Sequence, residues 1–154
     1  MNRIMKKAAI VLTVAAAAPV VLSATATADT PGTVYFSSGS WNCSIAADGT
    51  TGCDLSGTVP LQLTIAGATL PLLIPTREVV IDVPWLPAHP GFDAGTPHTL
   101  PGGNPILDSV ATSQDTWGPR ITYGGASCAS GFHGSFTCSA KGHSFTYYEV
   151  IAAN

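Results

Sequence analysis

Four cysteines and four histidines are the residues most able to do chemistry in this chain. The cysteines are Cys43, Cys53, Cys128 and Cys138, in two neighbouring pairs of the same C-x9-C spacing. No pair has the C-x2-C spacing of zinc ligands, and no redox C-x-x-C is present. An even cysteine count in an exported chain reads as two disulfides, for which sequence alone allows three connectivities. Cys43 with Cys53 and Cys128 with Cys138 are favoured, because each would close a short hairpin loop. Each would contribute roughly 2–3 kcal/mol on the loop-entropy account.

The histidines point to no metal site. If Lys141 and Gly142 form a turn, Ala140 faces His143 and Cys138 faces Phe145. Continuing that register sets His133 opposite Val150, roughly 20 Å or more from His143 at about 3.3 Å per rung. His143 then reads as a loop-capping or surface residue. His89 and His98 could meet, but no acid or cysteine is spaced along the chain to complete a site with them. A nucleophile elbow G-x-S-x-G is missing, and Ser127 in GASC is only a near match. The acids are scattered, and Asp48, Asp54, Asp93 and Asp115 sit beside turns, as solvating and turn-forming residues do. No catalytic residue and no cofactor is expected from these patterns.

The elements that must position these residues are strands. Residues 1–28 read first as a removable leader: Arg3, Lys6 and Lys7, an apolar run over 8–22, then small residues ending at Ala28. The run is short for a membrane span. The remaining chain, 29–154, is one secreted domain of about 126 residues with a modest core. It has three cations (Arg77, Arg120, Lys141) against nine acids, a net charge of about −6. That argues against nucleic acid or an anionic membrane as a partner, since both need clustered Lys and Arg.

Period-2 alternation marks half-buried strands. Val59, Leu61, Leu63 and Ile65 alternate with polar or small neighbours. So do Val79, Ile81 and Val83, Trp41, Cys43 and Ile45, Phe136 and Cys138, and Phe145 and Tyr147. Turns are expected at Asp48 and Gly49, Ala66 and Gly67, Gly124 and Gly125, and Lys141 and Gly142. Pro60 should start a strand or lie near an edge, because it cannot donate to a ladder. The expected fold is all-β: a small sandwich or open barrel of short antiparallel strands with two disulfides. The two C-x9-C hairpins, each preceded by a tyrosine (Tyr35, Tyr123), read as two similar hairpins placed against one another.

Residues 84–105 form a Pro/Gly-rich loop with no periodicity. A loop that long is usually functional or poorly ordered. Either Trp85 and Phe92 fold back to cover the core, or the loop is a recognition surface rich in proline and aromatics. Trp85, Phe92 and Trp117 are the candidate binding residues. Trp41 is a fourth aromatic, but its phase with Cys43 assigns it to the core.

The run YFSSGSWNC at 35–43, CASG at 128–131 and FTCSAKGHSF at 136–145 carry a resemblance. They are similar to the F-S-S-G…C start and the T-C-x-x-x-G-H-x-F end of a functionally uncharacterised family of small exported actinobacterial proteins with paired cysteines. Many members carry Gly where Ser144 stands, and residues 57–110 depart from the family's shorter middle. The resemblance implies export, paired cysteines and an actinobacterial envelope. It carries over no catalytic residue.

The function these readings support is a secreted, non-catalytic binding or interaction domain of the cell envelope or medium. Its partner would be a cell-wall polymer, a lipid or a protein. A small secreted hydrolase with an unrecognised site is an alternative, as is a secreted inhibitor or toxin using the proline-rich loop.

Overall fold

A computed structural model describes residues 30–154. The expected leader, 1–28, and its cleavage point lie outside them. The described chain is mostly β, with strands β1 (Thr33–Ser38), β2 (Trp41–Ala46), β3 (Thr51–Ile65), β4 (Ala68–Ile81) and β5 (His89–Pro90). A one-turn helix α1 (Leu107–Val110) follows. Then come β6 (Ser113–Asp115), β7 (Gly118–Tyr123), β8 (Ala126–Ser130), β9 (Phe136–Ala140), β10 (His143–Tyr147) and β11 (Ile151–Ala153). They form one sheet in the order β1-β2-β3-β11-β10-β9-β8-β7-β6, with β4 attached along β3 and β5 along β4. The sheet is curled and open, so of the two expected architectures the open barrel forms.

Local sequence explains most of this ladder. The turns at Ala66 and Gly67, Gly124 and Gly125, and Lys141 and Gly142 have positive φ at both central residues. That is the two-residue turn whose twist matches antiparallel strands. Ala140 pairs with His143 and Cys138 with Phe145, in the expected register. The ladder stops at Tyr147 opposite Phe136. His133 therefore does not face Val150; it sits in a 3-10 turn, Phe132–Gly134, with φ 54°.

Two features are not local. β3 is long and shifts register between Asp54 and Val59. Its first half lies between β2 and β4, and its second half between β11 and β4. The bend steers the sheet around the core. β11 joins β3 in parallel, the one exception to the antiparallel expectation.

The core fills the concave side. Phe36, Trp41, Ile45, Leu61, Val79, Ile81, Ile121, Phe136, Phe145 and Ile151 are buried there. Trp41 lies 5.6 Å from Phe145 in a stacked pair and 5.5 Å from Phe136, as its phase with Cys43 requires. Both disulfides, Cys43–Cys53 and Cys128–Cys138, join residues directly opposite on adjacent strands. They suit an oxidising, extracellular or secreted environment.

The two cystine hairpins do lie against one another. A Cβ on Gly49 would come within 2.5 Å of the Gly124 carbonyl, and one on Gly124 equally close to the Ala46 carbonyl. Lys141 ties a third turn to them through the Asp48 carbonyl at 3.0 Å. The Asp48 carboxylate also accepts from the Thr50 amide at 2.9 Å and hydroxyl at 3.0 Å. The Thr50 amide first, then its hydroxyl and Lys141, hold the Asp48 carboxyl below the usual 3.8.

Asp48→Asn should cost less than about 1 kcal/mol, since the carboxylate is exposed. A lowered folded pKa stabilises above the unfolded value and is lost as pH falls through the folded one. The difference from the parent should therefore be full above pH 5 and fade below 3.8. Thermal melts at pH 3 and pH 7 would check it.

Candidate functional site

Strand alternation puts Ser44, Gly52, Asp54 and Glu78 on the convex face, opposite the disulfide and the core. All four are buried, because the 84–105 loop lies over them. His98, from that loop, is the plug. Its Nδ1 lies 2.8 Å from the Ser44 hydroxyl and its Nε2 lies 3.1 Å from Glu78 Oε1. Its amide donates to Asp54 Oδ2 at 2.8 Å, as does the Thr99 hydroxyl at 2.7 Å. The imidazole rests on Gly52, where a Cβ would fall 2.1 Å from the ring. Gly91 is packed as closely on the Glu78 carboxyl.

Asn104 closes the loop's far end. Its Nδ2 donates to the carbonyls of His98, Phe36 and Cys43, and its Oδ1 accepts from Leu100. The near end is held by His89, 3.1 Å from Asp82.

This corrects the expectation that no acid completes a site with the loop histidines. Asp54 and Glu78 are cross-strand neighbours. With His98 they form a group whose ligand atoms lie within 4.8 Å of one another. Two like charges directly opposite on a sheet repel, and the loop supplies the donors that offset this. The sequence shows only the two acids of this group, not their meeting with His98. Asp54 and Glu78 are two acids in outward phase beside otherwise apolar strand segments. Neither sits close to His98 in sequence.

Two carboxylates and an imidazole are a donor set suited to zinc. In this geometry His98 Nε2 is given to Glu78, and Asp54 Oδ2 to two loop donors. The order serine, imidazole, carboxylate also resembles a hydrolytic triad. The Ser44 hydroxyl is covered by the loop that carries the imidazole, which leaves an acyl group no approach. What the cluster does here is clamp the loop.

The candidate binding aromatics are placed differently. Trp85 and Phe92 do not cover the core; they are 76% and 91% exposed. The loop is fixed by polar contacts instead, so its aromatics are free to face outward. Trp117, at the β6–β7 turn, is 62% exposed and packs edge-to-face on Phe132 at 4.9 Å. His143 reaches the Pro84 carbonyl at 3.1 Å, so of its two expected roles it takes the loop-capping one.

Phe132 went unremarked in the sequence, and it belongs to the β8–β9 loop that rims an opening of about 230 Å³. Ser38, Ser40, Ser130 and Ser135 line this opening around Trp41, Phe136 and Tyr147. The Ser38 and Ser130 hydroxyls hydrogen-bond to each other at 3.0 Å in its wall. Among the described residues no charged side chain lines it. Trp41 and Phe136 are buried in the core, so the half-buried Tyr147 ring and the serine hydroxyls are what a neutral polyhydroxyl ligand can meet here, through ring packing and exchanged hydrogen bonds. Comparisons with protein-family models, curated proteins and solved structures gave no match.

Proposed function

We propose that the chain is a secreted, non-catalytic binding domain of the cell envelope, and that its ligand is a neutral wall polysaccharide. The observation that carries this is the serine-lined opening with the half-buried Tyr147 at its wall, together with the exposed Trp117–Phe132 pair, whose Phe132 belongs to the same β8–β9 loop. The envelope location rests on the leader pattern and the family resemblance. The opening is smaller than the roughly 300–1,000 Å³ of drug-sized pockets. It takes one small unit, and the rest of a polymer runs over the surface aromatics.

Trp117→Ala should reduce retention on purified wall polysaccharide about five- to tenfold, the range for loss of one aromatic anchor. Trp117 is exposed, so the melting temperature should hardly change. Equal pelleting of variant and parent would sink the assignment.

A second reading has its own support. Phe92 stands exposed between two anchored stretches, at His89 and at His98, which is how an inhibitor presents a preorganised loop. On that reading Phe92→Ala rather than Trp117→Ala abolishes partner binding.

A further inference from the structure

Asp54 and Glu78 face each other in the ladder and are 3% and 7% exposed. A buried carboxylate is normally paired with a cation or bound to a metal. The chain offers these two neither lysine nor arginine. Of the three cations in 29–154, Arg120 pairs with Asp115 and Lys141 with Asp48. Arg77 is exposed, and as the strand neighbour of Glu78 it projects to the other face. Among the described residues, the one ion pair that reaches the two carboxylates is His98 with Glu78. A charged imidazole cancels one of the two negative charges, and a neutral one cancels none. A divalent cation cancels both.

The hydrogen bonds leave room for such an ion. Asp54 Oδ2 is taken by the His98 amide and the Thr99 hydroxyl, and no donor among the described residues reaches Oδ1. The 3.1 Å between His98 Nε2 and Glu78 Oε1 is close to the edge of a zinc tetrahedron, about 3.3 Å for bonds of about 2.0 Å. Asp54 supplies the third ligand atom, and the three lie within 4.8 Å of one another. A shift of about 1.5 Å or less in the Asp54 side chain closes the tetrahedral edge.

The surroundings suit a histidine ligand. A metal-bound imidazole needs a bare nitrogen toward the ion and a proton on the other, held by an acceptor. The Ser44 hydroxyl stands 2.8 Å from Nδ1. A hydroxyl both donates and accepts. It therefore holds Nδ1 when the ring proton is on Nε2, and equally when that proton is on Nδ1. Gly52 under the imidazole and Gly91 on the Glu78 carboxyl let both ligands lie against the backbone, where any Cβ would displace them.

We propose that Asp54, Glu78 and His98 bind one zinc ion, which ties the 84–105 loop to β3 and β4. Three protein ligands leave the fourth tetrahedral position to water. Calcium and magnesium fit poorly, since they take six or more ligands and favour oxygen over imidazole. On binding, Nε2 exchanges its hydrogen bond to Glu78 for a bond to the metal. Its proton passes to Nδ1 or, from a charged ring, to solvent. The His98 side chain keeps 14% exposure, which gives the ion its way in. The site shares no residue with the serine-lined opening, so the failure of one reading leaves the other standing.

The test is calorimetric titration of the exported, oxidised protein with zinc chloride, after chelator treatment and without a histidine tag. One ion per chain should bind, at micromolar affinity or tighter. The melting temperature should rise with zinc concentration, as mass action requires, and should not respond to calcium or magnesium at the same concentrations. Glu78→Gln and Asp54→Asn keep the side-chain shape and each remove one ligand charge. Each should weaken zinc binding at least about tenfold. His98→Ala should abolish it but also frees the loop, so the two conservative variants carry the result. His133→Asn, outside the cluster, should bind as the parent does. Four results would each overturn the proposal: no saturable zinc uptake, equal uptake by the parent and both carboxylate variants, loss of uptake in His133→Asn, or calcium bound as tightly as zinc.

Discussion

His98→Ala is expected to lower the unfolding free energy by about 3 kcal/mol and to release the 84–105 loop. The side chain removed is only part of the loss. Glu78 and Asp54 are buried and directly opposed. Without the imidazole, Glu78 Oε1 has no donor from the loop, and Ser44 loses its partner. Removing one member of a buried ionic or hydrogen-bonded pair typically costs about 3–5 kcal/mol, because the other stays behind desolvated. The lower end applies here, since His98 keeps slight exposure and water can reach the gap. Ser44→Ala removes one hydroxyl and should cost about 1 kcal/mol. Glu78→Gln keeps an acceptor for Nε2 and should fall between the two. Urea unfolding gives the three values. Limited proteolysis gives the second readout: His98→Ala should be cut within 84–105 while the parent is not. A loss under about 1 kcal/mol with an uncut loop would mean that the loop is held by Asn104 and its own packing.

Removing one disulfide as a pair, Cys128→Ala/Cys138→Ala, should cost about 2–3 kcal/mol, and Cys43→Ala/Cys53→Ala a similar amount. Each bridge closes a sequence separation of 10 residues, so the loop-entropy terms are alike. The bridges are also core side chains, fully buried beside Trp41, Phe136 and Phe145. A domain of this size has roughly 5–15 kcal/mol in total. Loss of both bridges, about 5 kcal/mol, should leave it marginal or unfolded at 37 °C. Melting with and without reductant measures the combined effect, and the two double variants separate it. A reduced protein that melts within a few degrees of the oxidised one would show that the sheet and aromatic core suffice alone.

These two effects divide along the line between what could be read from the sequence and what could not. The cystine pairs, the glycine turns and the strands around them were legible because each signal is local. A two-residue turn with glycine fixes its own register, and the register sets Cys138 opposite Phe145 without further information. The His98 clamp was not legible. It joins residues 20 to 54 positions apart on three elements, and no spacing rule predicts where a proline-rich loop returns to a sheet. The same gap left Trp85 and Phe92 open between covering the core and facing outward, and the structure exposes both. Aromatics in a long loop suggest a core cover, yet polar anchors took that role and turned both outward. The parallel pairing of β11 was hidden for a related reason, since a three-residue strand carries no period. The candidate aromatic Trp117 was visible as a residue type. Its partner Phe132 and the serines around the opening came into view only when the β8–β9 loop met the end of β1.

Binding of a neutral wall glycan at the serine-lined opening, as proposed, is tested most directly by amide chemical-shift mapping of the exported, isotope-labelled protein with neutral oligosaccharides released from purified wall. Binding as described shifts the amides of 38–41 and 130–136 and the indole N–H of Trp117, saturably and equally at 50 mM and 500 mM salt. Shifts confined to residues 86–98, shifts that vanish at high salt, or no shifts at all would contradict it.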